Sequence, residues 1–325
     1  MRPFVLALFL FLMACESPQS KPGITPAPGS IADLRWETLA PAPNERGEVA
    51  AAALGEDIYV IGGLSSDGAS TSNVDIYDTN ADSWRSGPEL PIAVNHPMAA
   101  TLEKNVYLLG GYSGAGPSSR VFRLDGSGWV EEPSMPGGRA AAGAAAIGGK
   151  IYVVGGIGDQ GLAQSMYGYE APSKKWSEAQ GMPTPREHLG VAALAPYLFA
   201  VGGRSSVNFA TAENFDTRNG TWARVADMPS ARGGSAAGVT SNGFLVSAGG
   251  EADRTFDSAE LLDLQSGKWF LLPPMPTARH GLGVVGVGTK IYVISGGKTP
   301  GLAVSGINEA IDLQPLRKPG EIRKL

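Results

Sequence analysis

The segment KIYVVGGIGDQG, residues 150–161, joins an apolar run to a pair of glycines. Closely similar phrases recur at intervals of 45 to 48 residues, at 57–63, 105–111, 197–203, 244–250 and 291–297. A period of this length indicates a solenoid, a propeller or an array. Gly156, Gly158 and Gly161 also match the glycine pattern of a dinucleotide-binding turn, but no other copy does, and the residues that follow alternate like a strand. This argues against a dinucleotide site, and we predict no cofactor.

The six tryptophans keep one register throughout the chain. A proline follows each of them seven residues later, and the third residue beyond that proline, here called the slot, is arginine in five of the six copies. The tryptophans are Trp36, Trp84, Trp129, Trp176, Trp222 and Trp269, and the slots hold Arg46, Val94, Arg139, Arg186, Arg232 and Arg279. Each repeat contains four short strands, and four antiparallel strands per repeat are typical of a propeller blade.

The two ends of the repeat array predict how the ring closes. Trp36 has no glycine pair before it, and the last glycine pair has no tryptophan after it. The N-terminal strand therefore completes the sixth blade, which removes free sheet edges. The alanine-rich run 139–148 favours a helix by propensity, but the repeat register assigns it to a strand near the propeller axis. We predict an all-β, six-bladed β-propeller of four-stranded blades, closed by the N-terminal strand.

The repeats resemble the Kelch family. The resemblance rests on the double glycine after an apolar strand, an aromatic residue about seven positions before a tryptophan, and a following MPxxR phrase. The aromatic residues are Tyr77, Phe122, Tyr169 and Phe215. It implies a Kelch propeller over residues 34–316. It does not imply an activity, because propellers include both enzymes and binding proteins.

The N-terminus predicts export and anchoring. Residues 1–14 combine one positive charge with an apolar run too short for an ordinary membrane span, which is typical of a signal peptide. The run ends at LMAC, which resembles the bacterial lipobox and implies a lipid on Cys15; an ordinary signal peptide with an incidental cysteine is the alternative. Residues 15–33 have the composition of a flexible tether, and 317–325 form a C-terminal tail. We expect a lipid-anchored protein of the bacterial envelope, and Glu16 favours the outer membrane, facing the periplasm or the cell surface.

Composition narrows the partners. A net charge of −5 with 18% charged residues does not fit a nucleic-acid-binding surface. Cys15 is the only cysteine, so a disulfide within the chain is excluded. Galactose oxidase, a similar propeller, depends on a tyrosine crosslinked to a cysteine within its fold, which this chain lacks. We expect a monomer.

Candidate ligand residues are predicted to lie around one mouth of the central channel, because the slots and the length-variable loops share that face. They are Arg46, Glu48, His96, Arg139, Arg186, His188, Arg204, Arg232, Arg279 and His280. Guanidinium forks favour a carboxylate or phosphate ligand, such as an acidic carbohydrate. Alternatively, the slot arginines are architectural and bridge blades through backbone carbonyls. A zinc site of three histidines is disfavoured, because we expect the three to lie far apart across the channel, and no metal is predicted.

Two classes of function remain open. The first is a membrane-anchored module that binds a protein or a glycan through one loop face. The second is an enzyme: GGEADRT, residues 249–255, resembles a motif of the sialic acid mutarotase family and makes Glu251 and Arg254 the catalytic candidates, although the interval here is shorter than that family's.

Overall fold

The computed structural model describes residues 31–114 and 116–316 as a ring of six four-stranded antiparallel sheets, which confirms the predicted six-bladed propeller. The signal peptide, Cys15, most of the tether and the C-terminal tail lie outside the described residues, so these assignments stay predictions. Among the described residues, no helix has the length and apolarity needed to cross a membrane.

The blades follow one another along the chain, and each is ordered from the axis outwards. Blades 1 to 3 consist of β2 (Ala50–Leu54), β3 (Asp57–Ile61), β4 (Val74–Asp78) and β5 (Ser83–Ser86); β6 (Met98–Leu102), β7 (Asn105–Leu109), β10 (Val121–Asp125) and β11 (Gly128–Glu132); and β12 (Gly143–Ile147), β13 (Lys150–Val154), β16 (Ser165–Glu170) and β17 (Lys175–Gln180). Blades 4 to 6 consist of β18 (Gly190–Leu194), β19 (Tyr197–Val201), β20 (Ala212–Asp216) and β21 (Thr221–Arg224); β22 (Gly233–Val239), β23 (Phe244–Glu251), β24 (Ala259–Asp263) and β25 (Lys268–Leu271); and β26 (Gly283–Val287), β27 (Lys290–Ile294), β28 (Asn308–Asp312) and β1 (Trp36–Thr38).

Short elements accompany the blades. Two-residue strand pairs extend the loops of blades 2 and 3, and 3-10 helices flank the first and last strands. They are β8 (Tyr112–Ser113) with β9 (Gly116–Pro117), β14 (Ile157–Gly158) with β15 (Gly161–Leu162), and the helices Ile31–Asp33 and Gln314–Leu316. The glycine pattern at 156–161 therefore lies in a loop hairpin and leads into β16, not into a helix.

The N-terminal strand closes the ring as predicted. β1 pairs antiparallel with β28, with Trp36 opposite Ile311 and Thr38 opposite Glu309. The edge that β28 would otherwise expose is thereby covered.

A repeated hydrogen bond joins the blades near their outer strands. In every blade the tryptophan Nε1 donates to the carbonyl oxygen four residues beyond the tryptophan of the preceding blade, at 2.7 to 3.0 Å. The acceptors are the carbonyls of Pro273, Ala40, Pro88, Pro133, Gln180 and Ala226 for Trp36, Trp84, Trp129, Trp176, Trp222 and Trp269. We call this set the outer indole ring. The bond from Trp36 to Pro273 closes it across the two ends of the domain.

Small side chains let the blades converge at the axis. The first strands of neighbouring blades contact one another, and each blade interface holds its own apolar core. A Cβ at Gly143 of blade 3 would overlap Val191 of blade 4. The alanine and glycine content of these strands is therefore a packing requirement, and the run 139–148 supplies β12 rather than a helix.

Candidate functional site

The slot arginines lie inside their own blades. Arg186 is 0% exposed; it pairs with Glu213 at 2.6 Å and donates to the carbonyl oxygens of Ala200 and Gly202. Arg46, Arg232 and Arg279 make the corresponding pairs with Asp75, Glu260 and Glu309 at 2.6 to 2.7 Å. Each guanidinium thus joins its slot to the second and third strands of the same blade.

The two remaining slots vary together with their partners. The carboxylates occupy the fourth-from-last position of the third strand, where blade 3 has Tyr167 and blade 2 has Phe122. Arg139 lies over the Tyr167 ring at 4.3 Å from its centroid, and Val94 shares an apolar core with Phe122. The residue types therefore match at the level of the pair: cation with anion, cation with ring, and apolar with apolar.

This geometry corrects the ligand-binding interpretation of Arg46, Arg139, Arg186, Arg232 and Arg279. All five are at most 3% exposed, and their guanidinium groups face partners inside the blade. The architectural alternative describes them better, with the difference that their carbonyl contacts lie within blades rather than between them.

A ring of backbone hydrogen bonds encircles the channel mouth. The residue two positions beyond each slot has a left-handed backbone, with φ between 49° and 68°, and these residues are Glu48, His96, Ala141, His188, Gly234 and Gly281. Five of the ring's hydrogen bonds run from the N–H of one member to the carbonyl of the member before it, at 2.8 to 3.0 Å; the Gly281 carbonyl accepts from Val49 at 3.4 Å. We call this set the mouth ring. For a residue with a Cβ, this conformation costs roughly 1–2 kcal/mol.

The large side chains of the mouth ring converge. His96 Nε2 lies 3.2 Å from Glu48 Oε2, His188 Nε2 lies 3.8 Å from the same oxygen, and the two imidazole rings are 4.9 Å apart. The other three members are small, and all six positions line a cavity of about 90 Å³. Our expectation that the histidines lie far apart is therefore wrong for His96 and His188, because Ala141 between them leaves room for their rings to meet.

Two residues that the sequence analysis missed orient these histidines. The Asn95 amide nitrogen donates to Ser70 Oγ at 2.7 Å, so its oxygen faces His96 and accepts from Nδ1 at 2.5 Å. Glu187 accepts from Nδ1 of His188. Each partner immediately precedes its histidine in the chain, and that adjacency was the available signal.

Arg204, Glu251 and His280 form the wall beside this cluster. Arg204 bonds Glu187 at 3.0 Å and Glu251 at 2.7 Å. His280 is buried, and its Nε2 lies 2.9 Å from the Gly301 carbonyl and 3.5 Å from Glu251 Oε2. Arg254, the suggested catalytic partner of Glu251, is exposed, and Glu251 contacts the guanidinium of Arg204 instead.

The charge of the mouth differs from our expectation. Three carboxylates, those of Glu48, Glu187 and Glu251, face the single guanidinium of Arg204. Burial lowers the pKa of His96, although Glu48 opposes this, and burial together with the neighbouring cationic groups lowers the pKa of His188 further. Neutral imidazoles leave an excess of negative charge, which repels an acidic ligand.

Comparisons with known proteins agree with this architecture. Residues 132–297 match the family model for the KLHDC2/KLHL20/DRC7 Kelch-repeats domain, and residues 45–91 match the Kelch motif. Similar curated proteins include Kelch-like protein terF of Aspergillus terreus, 34% identical over 47% of this chain and 36% of its own length. Kelch-like protein 35 of Mus musculus is 30% identical over 40% of this chain and 22% of its own length, and Kelch repeat and BTB domain-containing protein 12 of Danio rerio is 30% identical over 41% and 24%.

The matched region thus spans between 22% and 36% of the length of these relatives, and what they share with it is the repeat region. The six closed blades, the family model over half of the chain and the repeat register together show that this chain belongs to the Kelch-repeat family.

Proposed function

We propose that the protein is a protein-binding module that uses the loop face of its propeller and is held at the bacterial envelope by a lipid on Cys15. Kelch propellers typically act as protein-interaction modules, which supports the binding role. The observation that carries the proposal is a continuous rim formed by the loops between the second and third strands of blades 4, 5 and 6. We call these loops, residues 202–211, 252–258 and 295–307, the loop rim.

Hydrogen bonds tie the loop rim into one surface. Asn208 Nδ2 donates to the carbonyl of Glu251 at 2.7 Å, Thr255 Oγ1 donates to the carbonyl of Lys298 at 2.8 Å, and the Gly301 N–H donates to Glu251 Oε2 at 3.3 Å. Loops fixed in this way lose little conformational entropy when a partner binds. A rigid scaffold with ordered loops is a common arrangement for recognition.

The loop rim also exposes large apolar side chains. Val207 is 61% exposed and Leu302 is 66% exposed, the highest values for large apolar residues in the part of the chain that the structure describes. Exposed apolar groups beside polar loops are the usual composition of a protein-binding surface. The carboxylate excess at the mouth favours a neutral or basic protein surface over an acidic carbohydrate.

Site-specific photo-crosslinking in the native envelope tests the binding role. A photoreactive residue at position 207 or 302 should capture the same partner, whereas positions 130 and 271 serve as matched controls. Val130 and Leu271 are also exposed, at 43% and 45%, but lie on the outer strands β11 and β25. Equal capture from all four positions, or capture of glycan without protein from the rim, contradicts the proposal.

The anchor is tested separately, since Cys15 lies outside the described residues. Cys15→Ser should abolish incorporation of a labelled fatty acid and release the protein from the membrane fraction. Labelling that persists in this variant contradicts lipidation. Fractionation of the wild-type protein between inner and outer membranes then tests its location.

A further inference from the structure

We propose that Glu48, His96 and His188 bind one divalent transition-metal ion, with Zn²⁺ the best match, at the mouth of the propeller channel. One ligand atom from each residue lies within 4.8 Å of the other two. The inference goes beyond the proposed protein-binding role, because it assigns a second kind of ligand to a different group of residues.

The separations suit a single ion. Zinc bound at roughly 2.0–2.2 Å from nitrogen and oxygen ligands holds neighbouring ligand atoms roughly 3.0–3.6 Å apart. His96 Nε2 lies 3.2 Å from Glu48 Oε2, within that range. His188 Nε2 lies 3.8 Å from the same oxygen, so a small rotation of its ring brings it to the ion.

The outer hydrogen bonds determine which imidazole nitrogens are free to bind. Because Asn95 and Glu187 accept from the Nδ1 atoms of His96 and His188, each neutral ring carries its proton on Nδ1 and a lone pair on Nε2. Two nitrogen lone pairs and a carboxylate oxygen then converge with no proton between them. A cation removes this repulsion, and an oxygen acceptor on the distal nitrogen is the usual second layer around metal-binding histidines.

The backbone independently marks these three residues. All three are in the left-handed region, at φ values of 49° to 52°, whereas the equivalent positions of blades 5 and 6 are glycine. Gly281 is required for the cluster, since a Cβ there would lie 2.5 Å from the Glu48 carboxylate. Backbone strain in non-glycine residues is typical of functional positions, because the surrounding structure maintains it for the sake of the side chain.

Charge and access also fit a divalent cation. The cluster and its wall contain three carboxylates against the one guanidinium of Arg204, an excess of two negative charges that a divalent ion neutralises. The Glu48, His96 and His188 side chains are 12% to 16% exposed, so they are shielded but reachable through the mouth. Three protein ligands leave a fourth position open toward the cavity for water or an exogenous oxygen ligand.

His280 belongs to the second layer rather than to the ligands. Its ring nitrogens face the carbonyl oxygens of Gly297 and Gly301, and Nε2 lies 3.6 Å from Glu48 Oε1. It therefore supports the side of Glu48 that faces away from the other two histidines. This assignment makes the three histidines distinguishable by experiment.

The first test uses the wild-type, full-length chain after removal of metals with a chelator. Titration with Zn²⁺ alone, followed by calorimetry, should show one saturable equivalent, and Co²⁺ should give the visible absorption of a low-coordinate nitrogen and oxygen site. With ¹⁵N-labelled histidine, Zn²⁺ should shift the Nε2 resonances of two rings and leave the third, that of His280, much less affected. Absence of one-equivalent binding, or a shift of His280 in place of either ligand, overturns the proposal.

Variants then identify the ligands. Glu48→Gln and His96→Gln should each weaken Zn²⁺ binding by more than 100-fold, and Asn95→Ala should weaken it by roughly 10–100-fold, as for outer residues that orient metal ligands. Glu131→Gln, at an exposed carboxylate paired with Arg120, is the matched control and should bind Zn²⁺ as the wild type does. Unchanged affinity in folded Glu48→Gln refutes the assignment. If that variant does not fold, the histidine spectrum of the wild-type protein still decides the question. Neither readout requires the partner, so failure here leaves the crosslinking test of the loop rim intact.

Discussion

The outer indole ring and the mouth ring are both six-fold sets of inter-blade hydrogen bonds, yet only one of them repeats its side chains. At the outer ring, all six positions are tryptophan and all six bonds have the same donor atom and acceptor offset. At the mouth ring, the backbone conformation repeats around glutamate, two histidines, alanine and two glycines. The outer ring therefore serves the architecture alone, whereas the mouth ring uses the same kind of backbone support to hold a set of side chains that occurs once.

The strongest way to break the outer ring is to remove its closing member. Deletion of residues 31–43 removes β1 and with it the indole of Trp36 and the buried Leu34. We expect a loss of roughly 4–6 kcal/mol from the two side chains alone, at roughly 1.5–3 kcal/mol for each buried large apolar group. The melting temperature measured by circular dichroism should fall by roughly 10–20 °C.

A deletion of equal length upstream, residues 16–28, is the control for this experiment. It leaves every described strand in place, so its melting temperature should equal that of the wild type. Equal melting temperatures for both deletions would show that β1 does not close the ring energetically.

The slots offer a second test, in which one blade is given the residues of another. Arg186→Val should destabilise by roughly 3–5 kcal/mol, because it leaves the buried Glu213 carboxylate without its cation. Arg186→Val combined with Glu213→Phe reproduces the Val94 and Phe122 pair of blade 2 and should recover at least half of that loss. Urea unfolding measures both variants. A double variant less stable than Arg186→Val shows that the pair does not transfer between blades.

These cases show where the sequence was sufficient. Spacing alone predicted six blades, their four strands and closure through Trp36, because the repeat imposes one geometry on every copy. It could not show that Arg186 points into its blade toward Glu213, since the pairing depends on side-chain direction across 27 residues. Nor could it bring His96 next to His188, because that contact depends on the small size of Ala141 in the blade between them.

A contact between two blades supplies a pH-dependent test at the outer edge. Glu132 of β11 accepts from Tyr169 of the next blade at 2.9 Å, and also contacts Arg123 and Lys174. Burial by itself raises the pKa of Glu132, but the hydrogen bonds from these three partners outweigh it and leave the pKa below the ordinary value. A carboxyl with a lowered folded-state pKa stabilises the fold above the unfolded pKa, about 4.3, and this contribution disappears as pH falls through the folded-state pKa.

Glu132→Gln should therefore destabilise by roughly 1.5–3 kcal/mol at pH 7, the range for hydrogen bonds to charged groups. The difference in melting temperature from the wild type should shrink as the pH is lowered below about 4.3. Glu131→Gln, next to it on the exposed side of β11, should show little difference at any pH. A difference that stays constant down to pH 3 contradicts the ionic role of Glu132.

The smallest expected effect separates backbone from side chain within the mouth ring itself. Ala141 has φ at 50° and belongs to the ring without supplying a metal ligand, so Ala141→Gly should relieve left-handed strain and stabilise the protein by roughly 1 kcal/mol. Ala52→Gly is the matched control: Ala52 lies in β2 and packs in an apolar core, so the same change there should destabilise by roughly 0.5–1 kcal/mol. Thermal unfolding of the two variants should move in opposite directions. Because Ala141→Gly leaves Glu48, His96 and His188 in place, Zn²⁺ binding should persist in it. If Ala141→Gly is destabilising, the left-handed backbone of the mouth ring is not strained, and the glutamate and histidines then occupy it without the cost from which we infer their role.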